Sequence, residues 1–169
     1  MPIFGGMTEF AEVWHFSRSR LKATYEGLSD GQMKWRPYPG GHCIYEYLVH
    51  IAGAEHYWAT RLGGLNPSST QFDGNLDKSV RNGFLRDEPF PFAEPEFSFE
   101  LANRALDQSF AELRPIIEQP THEQLEMRIE SPIGPIVSGR EGFHRIAQHA
   151  AYHTGQIWVL LQDPRFPQA

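Results

Sequence analysis

Four stretches of helix-period apolar residues, set apart by clusters of proline and glycine, constrain this chain more than any other feature. The first covers about residues 8–28. Thr8 is a candidate N-cap, and Phe10, Trp14, Ser17, Leu21, Thr24 and Leu28 share one stripe at about 100° per residue, before Ser29-Asp30-Gly31 ends it. The connector Arg36-Pro37-Tyr38-Pro39-Gly40-Gly41 cannot be helical. A second helix then spans about 42–62 and stops at Gly63-Gly64. A third begins after Ser98 and reaches about residue 118, with Phe99, Ala102, Leu106, Ser109, Phe110 and Leu113 on its apolar side; Pro115 is expected to bend or shorten its last turn. The fourth covers about 139–162 and is stopped by Pro164.

Residues 65–97 carry Pro67, Pro89, Pro91 and Pro95 and lack long periodicity. So long a structureless loop is unusual, which predicts a short helix near 76–82. Leu125-Glu126-Met127-Arg128-Ile129-Glu130 alternates like a short extended segment. Helices of about 20 residues are rods about 30 Å long. Four of them predict an all-α fold, a four-helix bundle with a long crossover between its second and third helices. A length of 169 residues suits one domain spanning 1–169.

The formal net charge is −6 and no cluster of Lys or Arg occurs, so nothing supports nucleic acid or an anionic membrane as partner. No stretch approaches the ~18 apolar residues of a membrane span. The opening Met1-Pro2-Ile3-Phe4-Gly5-Gly6 lacks the basic and apolar runs of a secretory leader. Cys43 is the single cysteine and has no partner for an internal disulfide, which fits a reducing, cytoplasmic setting.

Three histidines carry the chemistry. On the fourth helix, His153 falls about 40° from His149 and Gln156 about 20° to the other side, all within an apolar stripe. On the second, His50 shares its inward face with Tyr47, Ala54, Tyr57, Glu46 and Arg61. Facing bundle helices sit about 8–10 Å apart, a gap that imidazoles reaching from both sides to one ion can bridge. Three neutral imidazoles are a common ligand set for a catalytic divalent ion and leave a position open for water or substrate. His50, His149 and His153 are therefore the candidate metal ligands. Gln156 and Glu46 are candidates to support them, and Arg61, Tyr47 and Tyr57 to contact a substrate. His15, His42, His56, His122 and His144 read as surface or cap residues, and Cys43 as a small core residue. No Ser-His-Asp order, phosphate-cradling glycine loop, paired catalytic carboxylates or dinucleotide fingerprint occurs.

The run His149-Ala150-Ala151-Tyr152-His153-Thr154-Gly155-Gln156-Ile157 resembles the His-x-x-x-His-x-Gly-Gln signature of the DinB/YfiT-like family. Trp35-Arg36-Pro37-Tyr38-Pro39-Gly40-Gly41, followed by a helix bearing Leu48-Val49-His50, is similar to that family's approach to its second helix. The likeness spans nearly the whole chain. It implies a bundle holding a divalent ion, nickel or zinc foremost and iron or manganese as alternatives, on residues that map to His50, His149 and His153. Thr154 departs from the arginine found in many relatives and puts substrate contacts there in doubt. Thiol-dependent S-transferases and a mycothiol-dependent maleylpyruvate isomerase are among the relatives, and homodimers are frequent.

The resulting expectation is a metal-dependent transferase that takes a low-molecular-weight thiol and an electrophile. A cation stabilises thiolate over thiol and so makes a nucleophile without a protein base. Metal-bound water acting in a hydrolase is the alternative, and would call for a nearby carboxylate. A non-catalytic metal-binding stress or interaction module is the third possibility. An open cavity beside the histidines favours an enzyme; a fourth protein ligand and no cavity favour the module.

Overall fold

A computed structural model describes residues 8–168. Residues 1–7, on which the expectation of no leader rests, and residue 169 lie outside the described residues. The elements are α1 (Glu9–Tyr25), α2 (Asp30–Lys34), α3 (Ile44–Gly63), α4 (Gln71–Ser79), α5 (Phe99–Glu118), α6 (His122–Glu126), β1 (Arg128–Glu130), β2 (Ile136–Ser138) and α7 (Gly139–Leu161), with one turn of 3-10 helix at Glu94–Glu96. The fold is all-α apart from the antiparallel β1–β2 hairpin, whose register pairs Ile129 with Val137.

The long helices α1, α3, α5 and α7 form the expected bundle. α3 and α5 run parallel: Tyr45 meets Phe99 near their starts at 5.5 Å between ring centroids, and Glu55 accepts a bond from Ser109 Oγ at 2.6 Å halfway along. α1 and α7 are also parallel, with Phe10 on Phe143 at 5.6 Å and Ser17 Oγ donating to Ala147 O at 2.9 Å. α7 passes α3 in the opposite sense, so Trp58 packs at Gly142 while His50 meets His153. Two parallel neighbours joined in sequence need a return connection. Residues 64–98 supply it, carrying the chain back along α3 as the predicted crossover.

Local chemistry explains where the elements start, and where they depart from the sequence pattern. α1 ends at Tyr25 and not near Leu28, because Gly27 turns the chain at φ +88° and Ser29 caps a new helix, α2, through a reciprocal box with Gln32. The crossover helix lies at 71–79, earlier than the expected 76–82, because Thr70 and Asp73 form the same kind of box. Thr121 and Gln124 do so again, so Leu125 and Glu126 of the expected extended segment belong to α6 and only Arg128–Glu130 is strand. α5 continues through Pro115 to Glu118, so the proline does not shorten it.

Two apolar clusters fill the bundle. One gathers Leu48, Ile51, Leu76, Phe97 and Ile157; the other gathers Trp14, Trp58, Leu113, Phe143 and Ile146. Losing a large side chain from either costs on the order of 2–5 kcal/mol. His50 and His149 lie where the clusters meet, since their neighbours Val49 and Ala150 belong to the first and Ala54 and Ile146 to the second. Among the described residues, no helix is long and apolar enough to cross a membrane.

Candidate metal centre

His50 sits near the middle of α3 and is 3% exposed. Its Nδ1 lies 2.9 Å from the carbonyl oxygen of Ser79, at the end of α4. A carbonyl only accepts, so Nδ1 carries the proton and Nε2 presents a lone pair. Gly53 permits this arrangement: a Cβ there would stand 2.1 Å from Ser79 Oγ and 2.6 Å from Leu76 O. With no side chain in the way, α4 lies directly on α3, and Ser79 Oγ bonds back to Val49 O.

α7 supplies the other two rings. His153 Nδ1 donates to Gln156 Oε1 at 2.6 Å, leaving its Nε2 free. That Nε2 lies 3.1 Å from His50 Nε2 and 3.1 Å from His149 Nε2. One ligand nitrogen from each of the three rings falls within 4.8 Å of the others. His149 Nδ1 is buried and has no hydrogen-bond partner among the described residues.

The donor set fits a divalent ion. Two lone pairs facing each other at 3.1 Å repel unless something positive lies between them. With metal–nitrogen bonds of about 2.0–2.1 Å in tetrahedral geometry, ligand nitrogens stand about 3.3 Å apart. The protonation state agrees. Burial, with His153 beside it, lowers His50 to about 3, and burial lowers His153 to about 4 despite the hydrogen bond to Gln156. Burial and the other two rings also push His149 well below its ordinary value. All three are neutral at pH 7, the state a ligand must be in. Three histidines here could hold a metal ion.

The cluster opens onto a cavity of ≈540 Å³. Tyr47, Phe84, Trp58, Ile146 and, from the β1–β2 loop, Ile133 line it. Phe84 is stacked between two imidazoles, 4.0 Å from His50 on one face and 4.0 Å from His42 on the other. Among the described residues, no Asp or Glu lines the cavity, and the one permanently charged group in the lining is Arg145.

The other candidates divide. Gln156 and Tyr47 line the cavity, and Gln156 fixes the His153 tautomer. Glu46 does not line it. Its carboxylate receives two bonds from Arg36, at 2.7 and 3.0 Å, and one from the Cys43 backbone N–H at 3.0 Å, closing the start of α3. Burial opposes its charge, but bonds from His42, Arg36 and Cys43 hold it down at about 2. Arg61 pairs with Asp77 and lies 3.5 Å over the Tyr57 ring, and the Tyr57 hydroxyl donates to Glu130 O at 2.8 Å. Arg61 and Tyr57 thus tie elements together away from the cavity. Thr154 is buried and bonds Ala150 O, so it contributes no rim contact. Cys43 is buried, and burial pushes its thiol up to about 11.

Several residues escape the sequence pattern. Ser79 and Phe84 lie in the aperiodic crossover, where nothing marks them. His42 is not a plain cap residue, because it lines the cavity behind Phe84. His56 is not a surface residue: it is 1% exposed and held by Glu112 at 2.6 Å and Pro67 O at 3.2 Å. Arg145 did carry a signal, lying one turn before His149 and about 40° from it on the wheel.

None of the curated proteins matches the sequence. A family model described as the DinB superfamily matches residues 14–157, which takes in most of α1 and α7, all of α3 and α5, and all three histidines. The chain belongs to the DinB superfamily.

Proposed function

We propose that the protein is a divalent-metal-dependent enzyme that transfers a low-molecular-weight thiol to an electrophile. One observation carries this reading: three neutral imidazoles converge at the wall of an open cavity that contains no carboxylate. An ion held by His50, His149 and His153 would supply positive charge that stabilises a thiolate over its thiol. The thiol's proton leaves to solvent. Its sulfur then forms a bond to the electrophilic carbon, and the leaving group departs with the electrons of the bond it breaks.

The chain's own groups set the conditions. Ser79 O and Gln156 hold two rings with their Nε2 lone pairs turned to the point where an ion would be held. Burial raises the Tyr47 phenol, so it remains a proton donor towards the cavity at neutral pH. Trp58, Phe84 and Ile146 give the cavity an apolar lining, which strengthens charge interactions within it. Hydrolysis would want an acid beside the ion to activate water, and the lining offers none. The open cavity also speaks against a purely structural ion. The lone buried Cys43 suits a reducing cytoplasm, and the family likeness favours a homodimer.

The test is conjugation of a generic electrophile by purified protein of confirmed metal content, offered glutathione, bacillithiol, mycothiol and cysteine in turn. Turnover with at least one, lost on chelation, is expected. No turnover with any of the four overturns the proposal.

A further inference from the structure

We infer that the thiol is itself an acid, a small thiol whose carboxylate is bound by Arg145. The inference rests on the thiol reading above and names the chemistry of its cosubstrate. Charge placement is the first ground. The chain carries 21 Asp and Glu residues against 15 Lys and Arg, yet none of the acidic groups reaches the cavity lining. The three histidines are neutral, so a loaded site combines a divalent ion with the Arg145 cation. A neutral thiol, once ionised, would offset one of these three positive charges. A thiol with a carboxylate offsets two. In a half-enclosed, largely apolar cavity an uncompensated charge is costly, so the second anion is selected for.

The arginine itself is the second ground. Its Nε and Nη2 bond Glu141 Oε1 at 3.2 and 2.6 Å, and its Nη1 bonds Ser131 Oγ at 3.1 Å. A guanidinium has five N–H donors, so two remain, on Nη1 and Nη2, while the side chain lines the cavity. Glu141 is about half exposed, so solvent weakens that ion pair and the guanidinium can engage a second anion. The Ser131 hydroxyl is part of a residue only 1% exposed, which fixes the guanidinium against the β1–β2 loop. A preset fork of this kind suits a carboxylate.

Spacing is the third. Arg145 precedes His149 by one helical turn, about 6 Å of rise. Sulfur at the histidines and a carboxylate at the arginine therefore belong to one molecule with several bonds between them, as in cysteine-derived thiols. Gln148, also in the lining, is placed to bond an amide or hydroxyl of such a molecule.

The experiment uses cobalt(II)-loaded full-length protein titrated with N-acetylcysteine and, separately, with N-acetylcysteine amide. Binding is read from the near-ultraviolet thiolate-to-cobalt band. The acid should bind about tenfold more tightly than the amide, the value of one charge-assisted hydrogen-bonded pair. The preference should collapse in Arg145→Gln, survive in part in Arg145→Lys, and shrink as salt rises. Cobalt stoichiometry in each variant confirms that the site is intact. Equal affinities in the wild type, or an undiminished preference in Arg145→Gln, overturn the inference and leave the thiol reading standing. If neither thiol produces the band although cobalt is bound, this inference fails, and the turnover assay with the four thiols decides the thiol reading separately.

Discussion

Two histidines of α3 are almost equally buried, His50 at 3% and His56 at 1% exposure, yet their chemistry is opposite. Burial and the neighbouring His153 lower His50 to about 3. Burial also works against a charge on His56, but the hydrogen bond and negative charge of Glu112 outweigh it and raise the ring above its ordinary value. Around His56 the polar groups close on one another: Gln108 bonds both Glu112 and Asp73, and Asp73 accepts from Ser69. Around His50 they do not close. Three lone-pair donors face one point, with no acid among them. Burial is common to both sites; the partner across from the ring decides between a structural ion pair and a place for a cation.

The widest separation between the two regions should come from removing ligands. His149→Ala with His153→Ala should reduce metal content from about one ion per chain to background while far-ultraviolet circular dichroism stays helical. His56→Ala should keep its metal. Elemental analysis after dialysis decides, and metal retained by the double variant would erase the distinction. Next in size is Glu112→Ala, which strands His56 without its anion and should cost about 2–3 kcal/mol in denaturant titrations at pH 6, with metal content unchanged. Its pH dependence has a definite sign. His56 is raised in the fold, so the pair's contribution is complete below the unfolded value near ~6.5 and fades as pH rises through the folded value. The gap between wild type and Glu112→Ala should therefore narrow towards pH 9. The metal-free histidine cluster slopes the other way. His50 is lowered to about 3 and His153 to about 4, with His149 lowered as well, so stability is lost as pH falls from ~6.5 towards those values. The smallest effect is expected from Gln156→Ala, about a tenfold loss of metal affinity by isothermal titration, since only the orientation of His153 is released.

Much of this is legible in the sequence. Apolar periodicity gives the four long helices, and two helical wheels turn His50, His149 and His153 to the interior. The parallel α3–α5 pair follows from a connection too long for a hairpin. His56 was not legible by the same device, because a wheel assigns it to an outer face and α3 has almost none. Leu48, Val49, Ile51, Ala52, Ala54, Trp58 and Ala59 surround that helix with apolar groups, the mark of a rod buried on all sides. The short helices α2, α4 and α6 share one cause. Ser29 with Gln32, Thr70 with Asp73 and Thr121 with Gln124 are capping boxes too brief to leave a periodic trace. Glu46 belongs beside them, its carboxylate spent on Cys43 N–H, Arg36 and His42 and not on His50, His149 or His153. Ser79 was beyond reach, because a backbone carbonyl has no letter in the sequence.

The bare Cα of Gly53 gives that carbonyl its influence. An alanine there would collide with Ser79 and Leu76, lift α4 from its seat, and let the His50 ring swivel. The aim of the cluster is thus set at a position with no functional group, one turn of helix from His50. A survey restricted to the three candidate ligands would pass over the lever that aims one of them.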